Sequence, residues 1–416
     1  MHKTLPRILV VMDRYPIEGD WSFSGWFIDH VHALEQFALV DVLSVINMLP
    51  RLKNLLGSRR EQKWIQANRA VKTGMCTGGG GLVFHKRIFN LPYSLTWEIL
   101  PILVGRQLES TIESLLRANQ YDLILEHFAY PVGNIVGRIA REHLIPFVII
   151  NHDGPGAFRK SAARKACRAI ISILDQADCI VTLSKPHTRE ISSLFCDKTI
   201  VEIPLGVHIP SESKDPNIDP SVLQILTIAR LDSPGKNIEH LLYALASMKS
   251  SVRKRIHLSV AGDGWQLRWL KFLSMSLNLQ AHVTFLGWQP HPVLMKSLGK
   301  YDALALASEY ETMSLAALEA LAAGVPVIGS SEVGILSNIY SMGKGIIPLP
   351  ELTPYRWLSQ FEALMDKKDE IREMGREARE FIKEHFSWEC HTVRFQQLCE
   401  RMLKGQDEKQ CITHCQ

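Results

Sequence analysis

Short apolar segments alternate with helical stretches along almost the whole chain, and this alternation restricts the folds that the chain can adopt. Strands that alternate with helices indicate parallel sheets joined by right-handed crossovers. The sequence therefore predicts an α/β fold with doubly wound sheets. In the first half we predict strands near 7–12, 41–46, 83–89, 122–127, 146–151, 179–183 and 199–203, with helices that include 25–37 and 95–119. In the second half we predict strands near 223–229, 256–261, 282–286, 303–307, 326–329 and 345–348.

The length of the chain predicts two domains. A chain of 416 residues is too long for one ordinary hydrophobic core. Residues 203–220 are rich in Pro, Ser and Asp, which is typical of a linker. Two Rossmann-like domains in series are expected to face each other across a cleft, where ligands commonly bind. The predicted parts are a first domain at 1–202, the linker at 203–220, a second domain at 221–380, a helix at 381–404 that crosses back to the first domain, and a tail at 405–416.

Composition and charge exclude several classes of function. The net charge of +4 is too small for a dedicated nucleic-acid binder, and no apolar run is long enough to span a membrane. The first strand is too short and polar for a signal peptide. The eight cysteines are scattered, which suits a reducing cytosol, so we expect a cytoplasmic protein. Cys411, His414 and Cys415 are either metal ligands or part of an exposed tail, and with no second pair nearby we expect no bound metal.

The segment 302–330 predicts a strand, a loop and a helix that carry two glutamates. Ser314 is expected to cap a helix over 315–323, which ends at Gly324. Glu319 is the only charged residue of this Leu- and Ala-rich helix, so it needs a cation, a hydrogen-bond donor or a ligand hydroxyl. Glu311 lies in the loop at the carboxyl end of the strand, where open α/β sheets bind ligands. A buried Glu319 paired with a neighbouring Arg is the alternative.

Three further loops of the second half carry candidate ligand-binding residues. Arg230 follows the strand near 223–229, and Lys236 precedes a helix, so the two cations and the helix N-terminus predict an anion site. Solvated side chains are the alternative. Gly262 allows a close backbone approach to a ligand or serves only a tight turn. Trp288 forms either one wall of a base pocket or a cover for the domain rim.

In the first half, three residues lie at the carboxyl ends of predicted strands. Gly25 opens a helix where a diphosphate or a sugar can approach, or is an ordinary helix start. His152 follows the strand near 146–151, where it either hydrogen-bonds a sugar hydroxyl or is a structural histidine. His127 has the same placement after the strand near 122–127 and is a weaker candidate for contact with an acceptor.

Taken together, these segments resemble a family 4 glycosyltransferase (glycosyl transferases group 1) of the two-domain GT-B architecture over residues 7–400. The strongest match is SEYETMSLAALEALAAGVPVIGS at 308–330, which is similar to the paired-glutamate signature of that family. The order and spacing of the weaker matches add to the resemblance. These matches are IARLDSPGKNIEHLL at 228–242, HFAYPVG at 127–133, IINHDG at 149–154, IPLGVH at 203–208 and FSW at 386–388.

The resemblance implies a retaining transferase that uses a nucleotide diphosphate sugar and needs no cofactor or metal. Arg230 and Lys236 would neutralise the diphosphate, and Glu319 would hold the ribose hydroxyls. Glu311 would hold the donor sugar, together with the backbone amides of a short segment at the helix start. The residues of that segment are Met313, Ser314 and Leu315.

The resemblance also implies roles for residues of the first domain. His152 would contact the donor sugar, and Gly25 would let the first loop close over the phosphates. The chain departs from the family pattern at several positions, including Asp153, Leu205 and the segment 312–314, where the family commonly has Gly, Asn and Gly-aromatic-Gly. These departures bear on the identity of the donor sugar more than on the class of reaction.

The expected acceptor is a saccharide or a lipid-linked saccharide, in cell-surface polysaccharide or glycolipid synthesis. Basic residues interleave with Leu and Trp at 51–64, which predicts either docking on an anionic membrane surface or a solvated helix face. The alternatives are a sugar-nucleotide epimerase, a glycogen-type phosphorylase or synthase, and a non-catalytic saccharide-binding subunit. The basic residues of the segment are Arg51, Lys53, Arg59, Arg60 and Lys63.

Overall fold

The computed structural model describes residues 5–13, 25–47, 75–88, 100–129, 132–152, 163–210, 221–232 and 235–413. The chain divides into two compact units. The first unit comprises Met1–Leu183, His187–Gly206 and Trp388–Gln416, and the second comprises Ser184–Pro186 and Val207–Ser387, in so far as those residues are described. The basic segment at 51–64 and residues 211–220 of the expected linker lie outside the described residues.

The described part of the first unit contains an eight-stranded sheet in the order β3-β4-β2-β1-β5-β6-β7-β8. All strand pairs are parallel except β3–β4, which is antiparallel at the edge of the sheet. The parallel strands confirm the prediction from the alternating pattern. The two-residue β3 was not predicted, because it is too short for a periodic signal. The strands are β1 Arg7–Asp13, β2 Leu39–Asn47, β3 Met75–Cys76, β4 Leu82–Ile88, β5 Leu123–His127, β6 Phe147–Ile150, β7 Cys179–Thr182 and β8 Thr199–Glu202.

Helices cover the first sheet because its strands are apolar on both faces, as is typical of parallel sheets. One apolar cluster joins β1, β2, β5 and β6 to α2, α3 and α4. Helix α14 packs against α1 within the same unit. The helices are α1 Trp26–Glu35, α2 Leu100–Ala118, α3 Gly133–Glu142, α4 Ala163–Leu174, α5 Lys185–Ser192, which belongs to this unit from His187 onward, and, from the end of the chain, α14 Trp388–Thr413.

The second unit contains a parallel six-stranded sheet in the order β11-β10-β9-β12-β13-β14. Its core is centred on β9, β10 and β12, with Trp357 and Phe361 fully buried. None of the described helices is long and apolar enough to cross a membrane. The strands are β9 Leu223–Ile228, β10 Ile256–Ala261, β11 Val283–Gly287, β12 Ala303–Leu306, β13 Val327–Gly329 and β14 Ile346–Pro348. The helices are α6 Ile238–Ser247, α7 Ser250–Arg253, α8 Gln266–Ser276, α9 His291–Ser297, α10 Leu315–Ala322, α11 Ile335–Tyr340, α12 Pro354–Leu364 and α13 Lys368–Phe386.

The start of α14 packs tightly on a glycine of the first unit. A Cβ atom at Gly206 would lie 2.5 Å from Cδ2 of Trp388 and 2.7 Å from its Cα. Both residues are buried. Because separations under 3 Å force a neighbour to move, the indole and the helix backbone can take this position only against a residue without a side chain.

We therefore expect Gly206→Ala to lower the free energy of unfolding by about 1–3 kcal/mol through overpacking. Gly25→Ala is the matched control, because a Cβ at Gly25 would meet no atom within 4 Å and its φ of −51° suits alanine. The control should unfold at the same urea concentration as the parent chain, or slightly higher. Equal stability of the two variants would contradict the packing argument.

Candidate functional site

In each sheet the strand order reverses at one point, and loops at such a switch point favour ligand binding. In the second sheet the order reverses between β9 and β12, which are paired neighbours. The loop after β9 carries Arg230 and Lys236, and the loop after β12 carries Glu311. The topology therefore brings together three of the residues that the sequence singled out.

Lys236 and Glu311 form an ion pair across the switch point. The distance from Lys236 Nζ to Glu311 Oε1 is 2.5 Å, and each side chain is 17% exposed. The backbone also joins the two loops, since the amide of Glu309 donates to the carbonyl of Gly235 over 2.9 Å. The amide nitrogen of the Asn237 side chain donates to Glu309 Oε1 over 3.1 Å. An anion that binds Lys236 must therefore compete with a carboxylate that is already in place.

Arg230 pairs with a different carboxylate. Its Nε and Nη2 atoms lie 3.2 and 3.3 Å from the two oxygens of Asp232, and its side chain is 71% exposed. Gly262, which follows β10, has a φ of +144°, and a Cβ there would lie 1.9 Å from the carbonyl oxygen of Ala229. The glycine thus allows the loop after β10 to pack directly against the loop that carries Arg230. Both predicted cations lie in the loop after β9, and each is already paired with an acid.

Helix α10 begins at the same edge of the sheet with a left-handed residue. Ser314 occupies the N-cap position, as predicted, but its φ of +70° and ψ of +75° are left-handed and its side chain makes no capping hydrogen bond. The predicted N-cap position is therefore confirmed, although the serine hydroxyl does not cap the helix. Met313 is buried, and its carbonyl accepts from the amide of Ile335 over 2.8 Å. The first amides of α10, from Leu315 onward, have no acceptor within the helix and point toward the carboxyl edge.

Glu319 finds its partner on α9. Its Oε1 atom lies 2.7 Å from Nε2 of His291, and the Glu319 side chain is 16% exposed. From the sequence we expected a cation, a hydrogen-bond donor or a ligand hydroxyl beside this carboxylate, and a neighbouring arginine was the alternative. The structure supplies a half-exposed histidine instead, 28 residues earlier in the chain. Gly324 ends α10 with a φ of +76°, which agrees with the predicted stop.

Trp288 lies apart from these residues. It follows β11, the edge strand, which two strands separate from the switch point. Its side chain is 39% exposed. The structure therefore places it at the rim of the second sheet, after a strand that is not a neighbour of the switch point.

A cavity of about 300 Å³ lies in the second unit beside the ion pair. Asn237 and Glu309, which flank the pair in sequence, line it together with Ser330 and Val333. The residue after Val333 is Gly334, whose φ is +51° and where a Cβ would lie 3.0 Å from the Cβ of Glu311. The volume is at the lower end of the range for small-molecule sites.

In the first unit, two histidines at neighbouring strand ends are hydrogen-bonded to each other. Nδ1 of His127 lies 3.0 Å from Nε2 of His152. The ring of His152 also contacts Phe128 and Trp26, with centroid distances of 4.4 and 4.9 Å. Burial, and then the nearby His187, lower the pKa of His152 to about 3, and burial lowers the pKa of His127 well below its usual value. Both rings are therefore neutral at physiological pH and act only as hydrogen-bonding groups.

Gly25 begins α1, the helix that carries Trp26 and His30. Its backbone is right-handed, and the place where a Cβ would lie is open space. The prediction that it starts a helix is confirmed. Any residue could adopt this backbone conformation. Glycine matters here for a ligand only because it has no side chain to fill the open space.

A second histidine pair joins α1 to α14. The carbonyl of Pro204 lies 2.8 Å from Nδ1 of His391, so Nδ1 must carry the proton. Nε2 of His391 then accepts from Nδ1 of His30 over 2.8 Å. Both side chains are fully buried, and burial lowers the pKa of His391 to about 4. The hydrogen bond between the rings needs an unprotonated nitrogen on one of them, so protonation of both would break this link between α1 and α14.

Sequence reasoning missed several polar residues that the structure brings to these edges. Asp232 pairs with Arg230 only two residues away and was overlooked, whereas His291 pairs with Glu319 over 28 residues, which no local pattern reveals. Glu126 on β5 is fully buried, and neither carboxyl oxygen has a partner among the described residues. Burial raises its pKa well above the usual value, so it is a neutral acid. A lone acid within the predicted apolar strand was the available signal. No cluster of three His, Cys, Asp or Glu residues in the described ranges is arranged to hold a metal ion.

Family profiles match two adjoining stretches of the chain. The profile of the glycosyl transferases group 1 matches residues 209–381, and that of glycosyltransferase family 4 matches residues 69–209. An uncharacterized glycosyltransferase of Methanocaldococcus jannaschii is 27% identical over 286 residues, which cover 65% of this chain and 72% of that protein. A glycogen synthase of Mycobacterium tuberculosis is 24% identical over 57% of this chain, and the match spans 58% of the relative's length.

Solved structures match almost the whole length of the chain. Sucrose-phosphate synthase from Thermosynechococcus elongatus superposes with a TM-score of 0.75 at 18% identity, over 96% of this chain and all of that one (100%). HepE of Anabaena, solved with UDP-glucose, gives a TM-score of 0.65 at 17% identity, over 96% of this chain and 99% of that one. These likenesses establish the fold, which is the GT-B fold.

The left-handed Ser314 predicts a stability difference. A side chain costs about 1–2 kcal/mol in this conformation, and glycine avoids that cost but has a more flexible unfolded state. We therefore expect Ser314→Gly to raise the free energy of unfolding by about 0.5–1 kcal/mol in thermal or urea unfolding. Ala316→Gly, in the first turn of the same helix, is the control and should lower it by about 1 kcal/mol. A loss of stability in both variants would show that the backbone of Ser314 is not strained.

The neutral histidines predict that acid destabilises the first unit. Burial lowers the folded-state pKa of His187 and His391 from 6.5 to about 4, so the unfolded chain binds more protons between these values. The free energy of unfolding should therefore fall as the pH drops from 6.5 to 4, by about 1.4 kcal/mol per pH unit for each such histidine. Urea unfolding across this range measures the slope.

Two variants test the assignment of that slope. His187→Asn removes one buried histidine and keeps an acceptor for the Leu183 amide, which donates to His187 Nδ1 over 3.3 Å. It should reduce the slope by about one proton. His32→Asn removes an exposed histidine of α1 and should leave the slope as it was. An unchanged slope in His187→Asn would show that this histidine is protonated when folded.

Proposed function

Because the chain belongs to the glycosyltransferases of group 1 and family 4, we propose that it is a retaining enzyme that uses a nucleotide diphosphate sugar. The acceptor is a saccharide or a lipid-linked saccharide in cell-surface polysaccharide or glycolipid synthesis. The observation that carries the proposal is the Lys236–Glu311 ion pair at the switch point of the second sheet, beside the start of α10. A cation, a carboxylate and free helix amides are the groups that a charged sugar donor requires.

The pair is suited to exchange partners when the donor binds. A diphosphate carries more negative charge than one carboxylate, so it draws Lys236 away from Glu311. The released carboxylate is then free to accept hydrogen bonds from the hydroxyls of the donor sugar. Met313, Ser314 and Leu315 supply the amides at the helix start, and Arg230 is released from Asp232 in the same way. Glu319, with His291 beside it, holds the ribose hydroxyls.

Bond breaking between the sugar and the phosphate leaves an oxocarbenium-like sugar and a diphosphate anion. Lys236, Arg230 and the amides of α10 stabilise the anion as it forms, which is the largest catalytic contribution available here. The leaving phosphate accepts the proton of the acceptor hydroxyl on the same face of the sugar, so the configuration is retained. No metal or cofactor takes part in this scheme.

The first unit contributes groups that orient the sugar. His152 is neutral, because its pKa is about 3, so it donates or accepts one hydrogen bond and carries no charge to the reaction. His127 fixes the ring of His152 through their shared hydrogen bond. Gly25 leaves room for the donor phosphates. Gly262 and Trp288 serve the rim of the donor site, at a greater distance from the reacting atoms.

The nucleobase of the donor can be tested directly. Uracil, as in UDP-sugars, is the first candidate, because HepE was solved with UDP-glucose. We propose that the protein works in the cytoplasm, at the cytoplasmic face of a membrane. An epimerase of the same fold would convert or hydrolyse the donor without an acceptor. A glycogen-type phosphorylase or synthase would act on glucan, and a non-catalytic subunit would bind saccharide without turnover.

We expect Glu311→Gln to separate binding from catalysis. The substitution removes the competitor of Lys236, so the dissociation constant for the nucleoside diphosphate should stay the same or fall. The rate of sugar transfer should drop about 100-fold or more, since the carboxylate no longer orients the sugar. Calorimetry with UDP, GDP and ADP gives the affinity, and release of the diphosphate in the presence of acceptor saccharides gives the rate.

Glu309→Gln is the matched control, because this carboxylate lies two residues away and bonds Asn237 rather than Lys236. It should retain most of the activity. Full activity in Glu311→Gln would exclude the proposed role of Glu311. Failure of the parent chain to bind any nucleoside diphosphate would exclude the glycosyl transfer itself and leave the non-catalytic alternative.

A further inference from the structure

Helix α8 is apolar on both of its faces. Its inner face packs on the core of the second unit through Leu267, Leu270 and Leu273. Its outer face carries large apolar side chains at helical spacing, and their exposed fractions are 44% for Trp269, 67% for Phe272 and 59% for Met275. A soluble surface helix normally has a polar outer face. A contiguous apolar face of this kind marks a contact surface.

The charges on this face have one sign. Arg268 and Lys271 are exposed between the aromatic residues, and α8 contains no Asp or Glu. Neither cation forms an ion pair with any described residue. We use the term outer face of α8 for five residues, which are Arg268, Trp269, Lys271, Phe272 and Met275.

More cations gather where α8 ends. The turn after the helix leads to His282, just before β11. Burial lowers the pKa of His282, and the positive charges of Arg253 and Lys254, which lie near it, lower it further. The opposite end of α8 is different, because Trp265 there donates to the carbonyl of Asp232 over 3.3 Å. The positive charge is therefore concentrated along the middle and the C-terminal end of the helix.

We propose that the outer face of α8 docks the protein on an anionic lipid surface. Trp and Phe side chains enter the region between headgroups and acyl chains, and Arg and Lys beside them bind the headgroup phosphates. A second copy of the chain fits less well, because a twofold contact would place the cations of one α8 against those of the other. An apolar protein partner would leave both cations without counter-charges.

This surface is separate from the basic segment 51–64 that the sequence suggested. It also does not depend on the proposed sugar transfer, since it concerns where the protein is held rather than what it transfers. A protein held by α8 has its second unit at the lipid surface. Lipid-linked acceptors are confined to such a surface, so docking would raise their local concentration.

Flotation of the purified full chain with vesicles tests the proposal. Vesicles of phosphatidylcholine with about 30% phosphatidylglycerol supply the anionic surface, and pure phosphatidylcholine is the reference. We expect binding to the anionic vesicles that weakens at high salt. The double variant Phe272→Ser with Met275→Ser should lose about tenfold or more of this binding, as should the charge reversal Arg268→Glu with Lys271→Glu.

Matched variants elsewhere on the second unit control for surface composition. Tyr355→Ser removes an aromatic ring that is 70% exposed on α12, and Lys296→Glu reverses an exposed cation on α9. Both should bind vesicles like the parent chain. Circular dichroism confirms that the variants fold. Affinity for the nucleoside diphosphate should be the same in all of them, so loss of docking can be distinguished from failure of the donor site.

Two results would overturn the proposal. One is binding that the outer-face variants leave unchanged, which would assign docking to another segment. The other is absence of vesicle binding together with a dimer in sedimentation velocity that Phe272→Ser dissociates. That outcome would identify a second copy of the chain as the occupant of this face.

Discussion

The ion pair between Lys236 and Glu311 is the interaction on which the candidate site depends. It joins the loop after β9 to the loop after β12, and these are the two loops that the strand order places at the switch point. With one partner removed, the other charge would remain half-buried and unpaired, which is destabilising. A pair of this kind keeps a cation and a carboxylate side by side at the switch point, with neither charge left unpaired. A dianionic ligand replaces the carboxylate with a stronger counter-charge.

The glycines around this pair show how closely the loops pack. Gly262 lets the loop after β10 contact the backbone near Arg230, and Gly334 lets the start of α11 contact the segment at Glu311. Both have positive φ angles, and in both places a Cβ would meet backbone or side-chain atoms at 3.0 Å or less. The loops are therefore fixed from two sides. Ser314 is the exception, because it adopts a left-handed conformation with a side chain in place.

Apart from the two-residue β3, the sequence predicted the strands of both sheets and the carboxyl-end positions of the candidate residues, because apolar periodicity and strand order are local or topological properties. It could not predict the partners. Glu319 contacts His291 and Lys236 contacts Glu311 over separations of 28 and 75 residues, and no local pattern encodes such contacts. The N-cap position of Ser314 was predicted correctly, but its left-handed backbone was not, for a related reason. A serine before an apolar helix suggests a cap, but the φ angle depends on how Met313 packs against α11.

The two proposals meet on one helix. The first residue before α8, Trp265, is hydrogen-bonded to the loop that carries Arg230 and Asp232, and the rest of the helix presents its outer face to solvent. An α-helix is stiff over this length, so a lipid surface that holds Phe272 also fixes the direction of the loop at the other end. Docking through α8 would therefore set the orientation of the donor site relative to the membrane. A flexible tether would supply proximity alone, whereas an acceptor hydroxyl must also meet the donor sugar at a defined angle.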